Sequence, residues 1–193
     1  MSMSNFPTLI SERLRLRAFM LEDAEAVVDI AGDFKVADTT AFIPHPYNLD
    51  DATAWIMPQP REYEQGWLIT WAITHKDTGA VMGMVSLRPD FHYSTGELGY
   101  WLGPDFWHQG FCTEAAKGVL MYAFDRLQLH RVEAFLMHRN QASAKVLEKL
   151  GFQLEGTKRQ GMLKWGRYED LDYYGLLESE YHAQRFDNGQ ASA

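Results

Sequence analysis

The fold class this sequence predicts is a mixed α/β domain, with a mostly antiparallel, twisted sheet and helices on both faces. Three observations predict it. Period-two runs such as Arg13 to Phe19 and Gly96 to Leu102 alternate as half-buried strands do. Helical stripes lie between them, most clearly Ala116, Val119, Leu120, Ala123, Phe124 and Leu127. The 193 residues are 46% hydrophobic and 13% aromatic, enough to bury a substantial core and to fit one domain over residues 1–193.

In chain order, RLRLRAF (Arg13 to Phe19) sends its arginines to one face and its leucines to the other, as a first strand. LEDAEAVVDIAGDF places Ala24, Val27, Val28 and Ala31 on one helical face, with acidic residues in the first turn where the helix dipole favours them. Thr39 to Pro46 contains two prolines and reads as loop. A second helix follows the cap region Asn48 to Asp50, runs through Trp55 and is interrupted around Pro58 and Pro60. Residues 67–74 and 80–88 read as a hairpin closed by Lys76-Asp77-Thr78-Gly79. A turn around His92 to Thr95 then delivers the strand Glu97 to Leu102, most economically as the third of three antiparallel strands. The next helix opens at Thr113 or Glu114 and runs to about Leu127. Arg131 to His138 is a largely apolar strand. Asn140 caps a helix with the stripe Val146, Leu147 and Leu150, and Gly151 stops it. Strands at about 152–158 and 168–177 complete a core spanning about 10–181, and the polar tail 182–193 is expected to fray.

The formal charge of −8 argues against nucleic acid as a partner and favours a cationic substrate such as an amine. The single cysteine, Cys112, cannot form an internal disulfide, which suits a reducing compartment. MSMSNFPTLI has no basic n-region, and no stretch approaches the ~20 apolar residues of a membrane span, so a cytoplasmic protein without a membrane partner is expected. The seven histidines include no His-x-x-x-His or His-x-His pair, so no metal is expected. Monomer and homodimer both stay open.

The chain is organised around PDFWHQGFCTEAA, Pro104 to Ala116. A strand running into a glycine-bearing turn that opens a helix aims unpaired backbone N–H groups at one point, with the positive end of the helix dipole behind them. An anion, most often phosphate, is the natural occupant, and a plain strand-to-helix turn is the alternative. Neither a Walker loop nor a Rossmann turn is present: the first lacks its lysine, and Trp107 to Thr113 does not offer Gly-x-Gly-x-x-Gly.

SERLRLRAF, ELGYWLGPDFW, GFCTEA, HRVEAF, NQASAKVLEKLGFQLEGT and RYEDLDYYGLL occur in order from about Ile10 to Tyr181. In this order and spacing the chain resembles the GNAT family of acyl-CoA-dependent N-acyltransferases, and most of all the Rim-type branch that acetylates ribosomal-protein N-terminal amines. The resemblance implies a sheet with a splayed central strand pair and acetyl-CoA (coenzyme A) as cofactor. The family's pyrophosphate loop, Arg/Gln-x-x-Gly-x-Gly/Ala, maps onto Trp107-His108-Gln109-Gly110-Phe111-Cys112. Its grip would come from backbone N–H groups between His108 and Thr113, across Gln109, Gly110, Phe111 and Cys112. Trp107, His108 and Cys112 depart from the most frequent family residues. Tyr100, Trp101 and Leu102 would pair with the pantetheine amides, Asn140 would contact the cofactor arm, and Ser143 would stand near the sulfur as proton donor.

Acyl transfer to an amine needs a neutral amine, a stabilised oxyanion and a proton for the departing thiolate. An α-amine, with a reference pKa of roughly 7.7–8.0 against about 10.4 for lysine, asks little of a base. Val146 and Leu147 share the face of Ser143 and turn its hydroxyl inward, where a buried hydroxyl needs a partner. Other branches carry a tyrosine acid at the position of Leu147, which strengthens Ser143 as its replacement. Glu97 is the candidate base, with a solvated strand carboxylate as its alternative. The base glutamate proposed for the Rim-type branch appears here as Met162, and His138 is a further candidate. Cys112 could be a reactive thiol at a helix N-terminus, but the position asks only for a small residue. The expectation is N-acetylation of a primary amine by direct attack in a ternary complex, with a protein N-terminal α-amine first. A small amine (an antibiotic, a polyamine or an amino-acid derivative) comes second, and a non-catalytic acyl-CoA-binding module is the rival of another class.

Overall fold

The computed structural model describes the backbone of residues 6–190 and the side chains of residues 6–184. Among them eight strands form one sheet: β1 Leu9–Ile10, β2 Leu14–Ala18, β3 Ile69–His75, β4 Val81–Asp90, β5 Thr95–Leu102, β6 Arg131–Met137, β7 Gln153–Lys164 and β8 Arg167–Leu177. Their order across the sheet is β1-β2-β3-β4-β5-β6-β8-β7. Every neighbouring pair is antiparallel except β5 and β6, which run parallel. The helices are α1 Ala24–Ala31, α2 Phe34–Thr39, α3 Leu49–Ile56, α4 Gln59–Glu64, α5 Phe111–Met121, α6 Gln141–Lys149 and α7 Glu178–Gln190.

Alternation along the strands gives the sheet two apolar faces. In β3, Trp71 and Ile73 join a core with Val119 and Leu120 of α5 and Leu147 of α6. Ala72 between them turns to the opposite face, against Val27 of α1, Val36 of α2 and Ile56 of α3. Leu14 and Leu16 of β2 are buried while Arg15 is exposed, as the period-two reading requires. Asn48 caps α3, its Oδ1 accepting from the N–H groups of Asp50 (2.9 Å) and Asp51 (3.1 Å), while the Asp51 carboxylate accepts from Asn48 N–H (2.9 Å).

Five features differ from the sequence reading. α5 starts at Phe111, earlier than Thr113, because Gly110 takes the left-handed conformation (φ 80°) as N-cap and Phe111 is already buried. Beyond Met121 the helix widens into a π segment, Tyr122–Arg126, which keeps Ala123 and Phe124 in the core. α2 occupies Phe34–Thr39, capped by Asp33, whose carboxylate accepts from Lys35 N–H at 2.7 Å; six residues are too few for a visible stripe. β7 and β8 are longer than expected and meet in a tight turn at Trp165 (φ 48°) and Gly166 (φ 79°), with the glycines of β7 taken up by register shifts. Where a frayed tail is expected, the described backbone is helical from Glu178 to Gln190, and residues 191–193 lie outside the described residues.

The sheet parts at its centre. β5 pairs with β4 along its whole length, from Asp90↔Thr95 to Gly83↔Leu102. Its pairing with β6 covers only Thr95↔Arg131, Gly96↔Val132 and Glu97↔Glu133. β6 stays paired with β8 from Arg131 to Met137, so a gap opens beside residues 98–102. Gly83 sets how β4 supports that free stretch: a Cβ there would lie 2.3 Å from the Trp101 carbonyl oxygen and 2.8 Å from Leu102 Cα. Gly83→Val is therefore expected to destabilise the fold by about 1–3 kcal/mol, the usual size of an overpacking penalty, as read by urea denaturation.

Candidate active site

Two cavities, each of about 510 Å³, meet at this gap. The first lies between the end of β5, the loop from His108 to Thr113 and the start of α6. The second is walled by Glu97, Trp55, Phe135, Met137, Met162 and the segment from Thr39 to Pro44. Thr39, Thr40, Tyr100, Trp101, Asn140 and Ser143 border both.

The loop is built from backbone. Gly103 N–H donates to the Met82 carbonyl (2.8 Å), a single 3₁₀ turn follows over Pro104–Phe106, and the Trp107 indole N–H returns to the Leu102 carbonyl (2.7 Å). His108 (φ 60°) and Gly110 (φ 80°) both adopt the left-handed conformation. Such alternation of hand turns successive N–H groups to one side, as in an anion nest. Among the described residues, none of the N–H groups from His108 to Thr113 donates a hydrogen bond within the chain, and the ordinary helix ladder begins with Glu114 N–H to the Gly110 carbonyl (3.0 Å). His108, Gly110, Phe111, Cys112 and Thr113 line the first cavity. Gln109 does not; its side-chain amide donates to the Asp105 carbonyl at 2.8 Å.

Asn140 caps α6: its Oδ1 accepts from Ser143 N–H (3.2 Å), and its Nδ2 donates to the Thr39 carbonyl (3.2 Å). The cap therefore also fastens α2 over the junction of the two cavities. Ser143 finds the partner its inward orientation demands in Tyr100, with 2.8 Å between the hydroxyl oxygens. The Tyr100 hydroxyl also lies 3.3 Å from the Ser143 carbonyl. Burial first, and then the neighbouring Cys112, hold the Tyr100 phenol well above its ordinary pKa, so it stays protonated. Leu147 is 1% exposed, packs in the core and carries no acid.

Glu97 stands at the fork of the sheet, level with Arg88 on β4 and Glu133 on β6. Burial raises its pKa; Arg88 opposes the shift and Glu133 adds to it. Met162 lines the same cavity. His138 lines neither cavity, and its Nδ1 lies 2.8 Å from the buried Asp172 carboxylate. Among the described residues no group of three or more His, Cys, Asp or Glu side chains could hold a metal ion, and no helix is long and apolar enough to cross a membrane.

Sequence reasoning missed the groups that hold the second cavity's wall. Arg139 donates to both Asp38 carboxylate oxygens (2.6 and 2.9 Å), to the Asp38 carbonyl (2.7 Å) and to Glu169 (3.0 Å). Buried Lys164 donates to the Ile43 carbonyl (2.8 Å), and desolvation lowers its pKa. The partners are far apart in sequence and leave no local signal. Burial pushes the Cys112 thiol up to about 12, which disfavours the reactive thiolate. Alkylation by iodoacetamide at pH 8, followed by mass spectrometry, is expected to run at least ~100-fold slower than for an unfolded-state thiol of pKa about 8.5.

Comparison with known proteins agrees with this geometry. The family model described as the acetyltransferase (GNAT) domain matches residues 13–153. The uncharacterised N-acetyltransferase p20 of Bacillus licheniformis is 33% identical over 175 residues, covering 90% of this chain and 98% of that protein. A GNAT-family acetyltransferase from Bacillus anthracis superposes with a TM-score of 0.79 at 25% identity, covering 90% of this chain and 100% of the other. RimL, a ribosomal L7/L12 alpha-N-protein acetyltransferase solved in complex with coenzyme A, shares the fold with a TM-score of 0.82 at 19% identity, covering 89% and 98% of the two chains. A fork in the sheet, an open row of amides at a helix start and a family match across both place this chain in the GNAT family of acetyltransferases.

Proposed function

We propose that this acetyl-CoA-dependent N-acetyltransferase delivers its acetyl group to the α-amine of a polypeptide N-terminus, by direct attack in a ternary complex. One observation carries the reading: the Tyr100–Ser143 hydroxyl pair stands where the two cavities meet. Acetyl-CoA would occupy the first cavity. The free N–H groups from His108 to Thr113 would receive its diphosphate, and the edge of β5 that β6 leaves open along Tyr100, Trp101 and Leu102, where Trp107 already holds the Leu102 carbonyl, would face the amides of its arm. Asn140, which caps α6, would lie beside that arm, and Ser143 would stand near the thioester. When Tyr100 donates to Ser143 Oγ, the serine proton is left to point at the sulfur, where thiolate charge develops.

The amine enters from the second cavity. Glu97 takes the proton that the attacking nitrogen must shed, and its half-buried setting makes it a better base than an exposed carboxylate. That is sufficient for an α-amine, already partly neutral near pH 7, and poor for a lysine of pKa about 10.4. A free small amine is the second reading. It is favoured by the largely apolar cavity of about 510 Å³, whose wall is tied down by Arg139 and Lys164. Thiol release measured with N-terminal peptides, polyamines and amino-acid amines separates the two. Turnover on peptides supports the polypeptide acceptor, and turnover confined to small amines overturns it.

Ser143→Ala is expected to lower kcat by about 10²–10⁴-fold, the range for a general acid, with coenzyme A affinity by calorimetry nearly unchanged. Glu97 must be ionised to accept a proton, so the acid limb of the pH–kcat profile should lie above the ordinary glutamate range. In Glu97→Gln the residual rate should be at least ~10-fold lower and lack that limb.

A further inference from the structure

Arg13, the residue before β2, reaches across to the loop that opens α5 and touches it at three successive points. Its Nη1 donates to the Gln109 carbonyl (3.0 Å). Its guanidinium carbon lies 4.2 Å from the centroid of the Phe111 ring. Its Nε donates to Glu114 Oε2 (2.7 Å), with Nη2 on the same oxygen at 2.7 Å. Glu114 Oε1 meanwhile accepts from Arg13 N–H (2.8 Å) and from Ser11 Oγ (2.7 Å). The carboxylate is thus supplied with four donors, all from the segment that contains β2's entry.

Two physical consequences follow. In a trans peptide the carbonyl and the following N–H point in opposite directions. Fixing the Gln109 carbonyl on Arg13 therefore turns the Gly110 N–H the other way, to the side where its neighbours are unbonded. Glu114 stabilises the first turn of α5 through the helix dipole, yet a bare carboxylate there would repel an incoming diphosphate. The guanidinium beside it cancels that charge without occupying the nest.

We propose that Arg13 is a positioning residue for cofactor binding: with Glu114 it presets the amides from His108 to Thr113 for the diphosphate, touching neither the thioester nor the acceptor. This rests on the reading that those amides take the diphosphate. The test compares acetyl-CoA with acetyl-pantetheine, which has the thioester arm and no diphosphate. In Arg13→Met the KM for acetyl-CoA is expected to rise at least ~10-fold, the scale of one lost charge-assisted contact, with kcat within about threefold and kcat/KM for acetyl-pantetheine unchanged. Adding Glu114→Gln should cost much less than the product of the two single effects, because the residues act as a unit.

A loss shared equally by both thioesters, or no loss, overturns the proposal and leaves Arg13 a structural residue. If Arg13→Met does not fold, Arg13→Lys carries the same comparison, since an ammonium keeps the charge but cannot span Gln109 and Glu114 together. If the unaltered enzyme itself fails to prefer acetyl-CoA over acetyl-pantetheine, the diphosphate reading falls first, and that outcome is distinct from an effect confined to the variant.

Discussion

The structure depends on one constraint: β5 must leave β6 after Glu97↔Glu133 while remaining bound to β4 to its end. Backbone N–H and C=O groups inside a protein require partners. Along residues 98–102 one edge of β5 faces a gap in the middle of an eight-stranded sheet. β6 does not close it: its pairs with β5 end at Glu97↔Glu133, while it stays paired with β8 over its whole length. The chain fills the gap only at its margins. The Trp107 indole takes the Leu102 carbonyl, and the Tyr100 hydroxyl crosses to Ser143 on the helix that follows β6. What remains is a slot edged by peptide groups, and a ligand with amides of its own suits it.

The rest of the architecture holds the two sides of that slot at a fixed separation. β5 and β6 are parallel, so their connection must travel back along the sheet, and α5 does so with its N-terminus beside the slot's mouth. α6 leaves β6 on the other side and is capped by Asn140, whose amide also grips Thr39. The Arg139 fork on Asp38 and Glu169 and the Lys164 ammonium on Ile43 act at the far wall. Half-buried ion pairs of this kind contribute little net stability once desolvation is counted, but breaking one leaves a charge uncompensated. Their effect is to fix geometry, and they lie where the segment from Thr39 to Pro44 covers the second cavity.

Local chemistry was legible in the sequence and long-range geometry was not. The alternation of RLRLR, the Asn48 and Asn140 caps and the stripe of α5 are signals confined to neighbouring residues, and each appears where expected. The start of α5 was misjudged because its N-cap is a left-handed glycine with no side chain to mark it. The fork had no signature in periodicity, since β5 alternates normally through it, and only the family resemblance anticipated a split. Arg13 and Glu114 are 101 residues apart, and Tyr100 and Ser143 are 43 apart. No window of sequence relates such pairs; the topology brings them together by laying α5 beside β2 and α6 beside β5.

The Tyr100–Ser143 pair also explains why Leu147 is no loss on the proposed reading. A hydroxyl can be brought to the sulfur from a strand as well as from a helix, and here the phenol arrives from β5 with a serine in front of it. A buried phenol held above its normal pKa is a weak acid, so Tyr100 would serve as a donor that orients Ser143 and would not itself lose a proton. The serine, weaker still as an acid, cannot surrender a proton unaided. The balance comes from the nucleophile: an amine that attacks a thioester carries one proton too many, and the departing thiolate lacks one. On the proposed reading Glu97 takes the amine's surplus proton on the acceptor side, and Ser143 steadies the departing thiolate by a hydrogen bond while keeping its own proton. The thiolate gains its proton from the one released by the amine, through Glu97 and solvent, and the fork between β5 and β6 sets both residues in place.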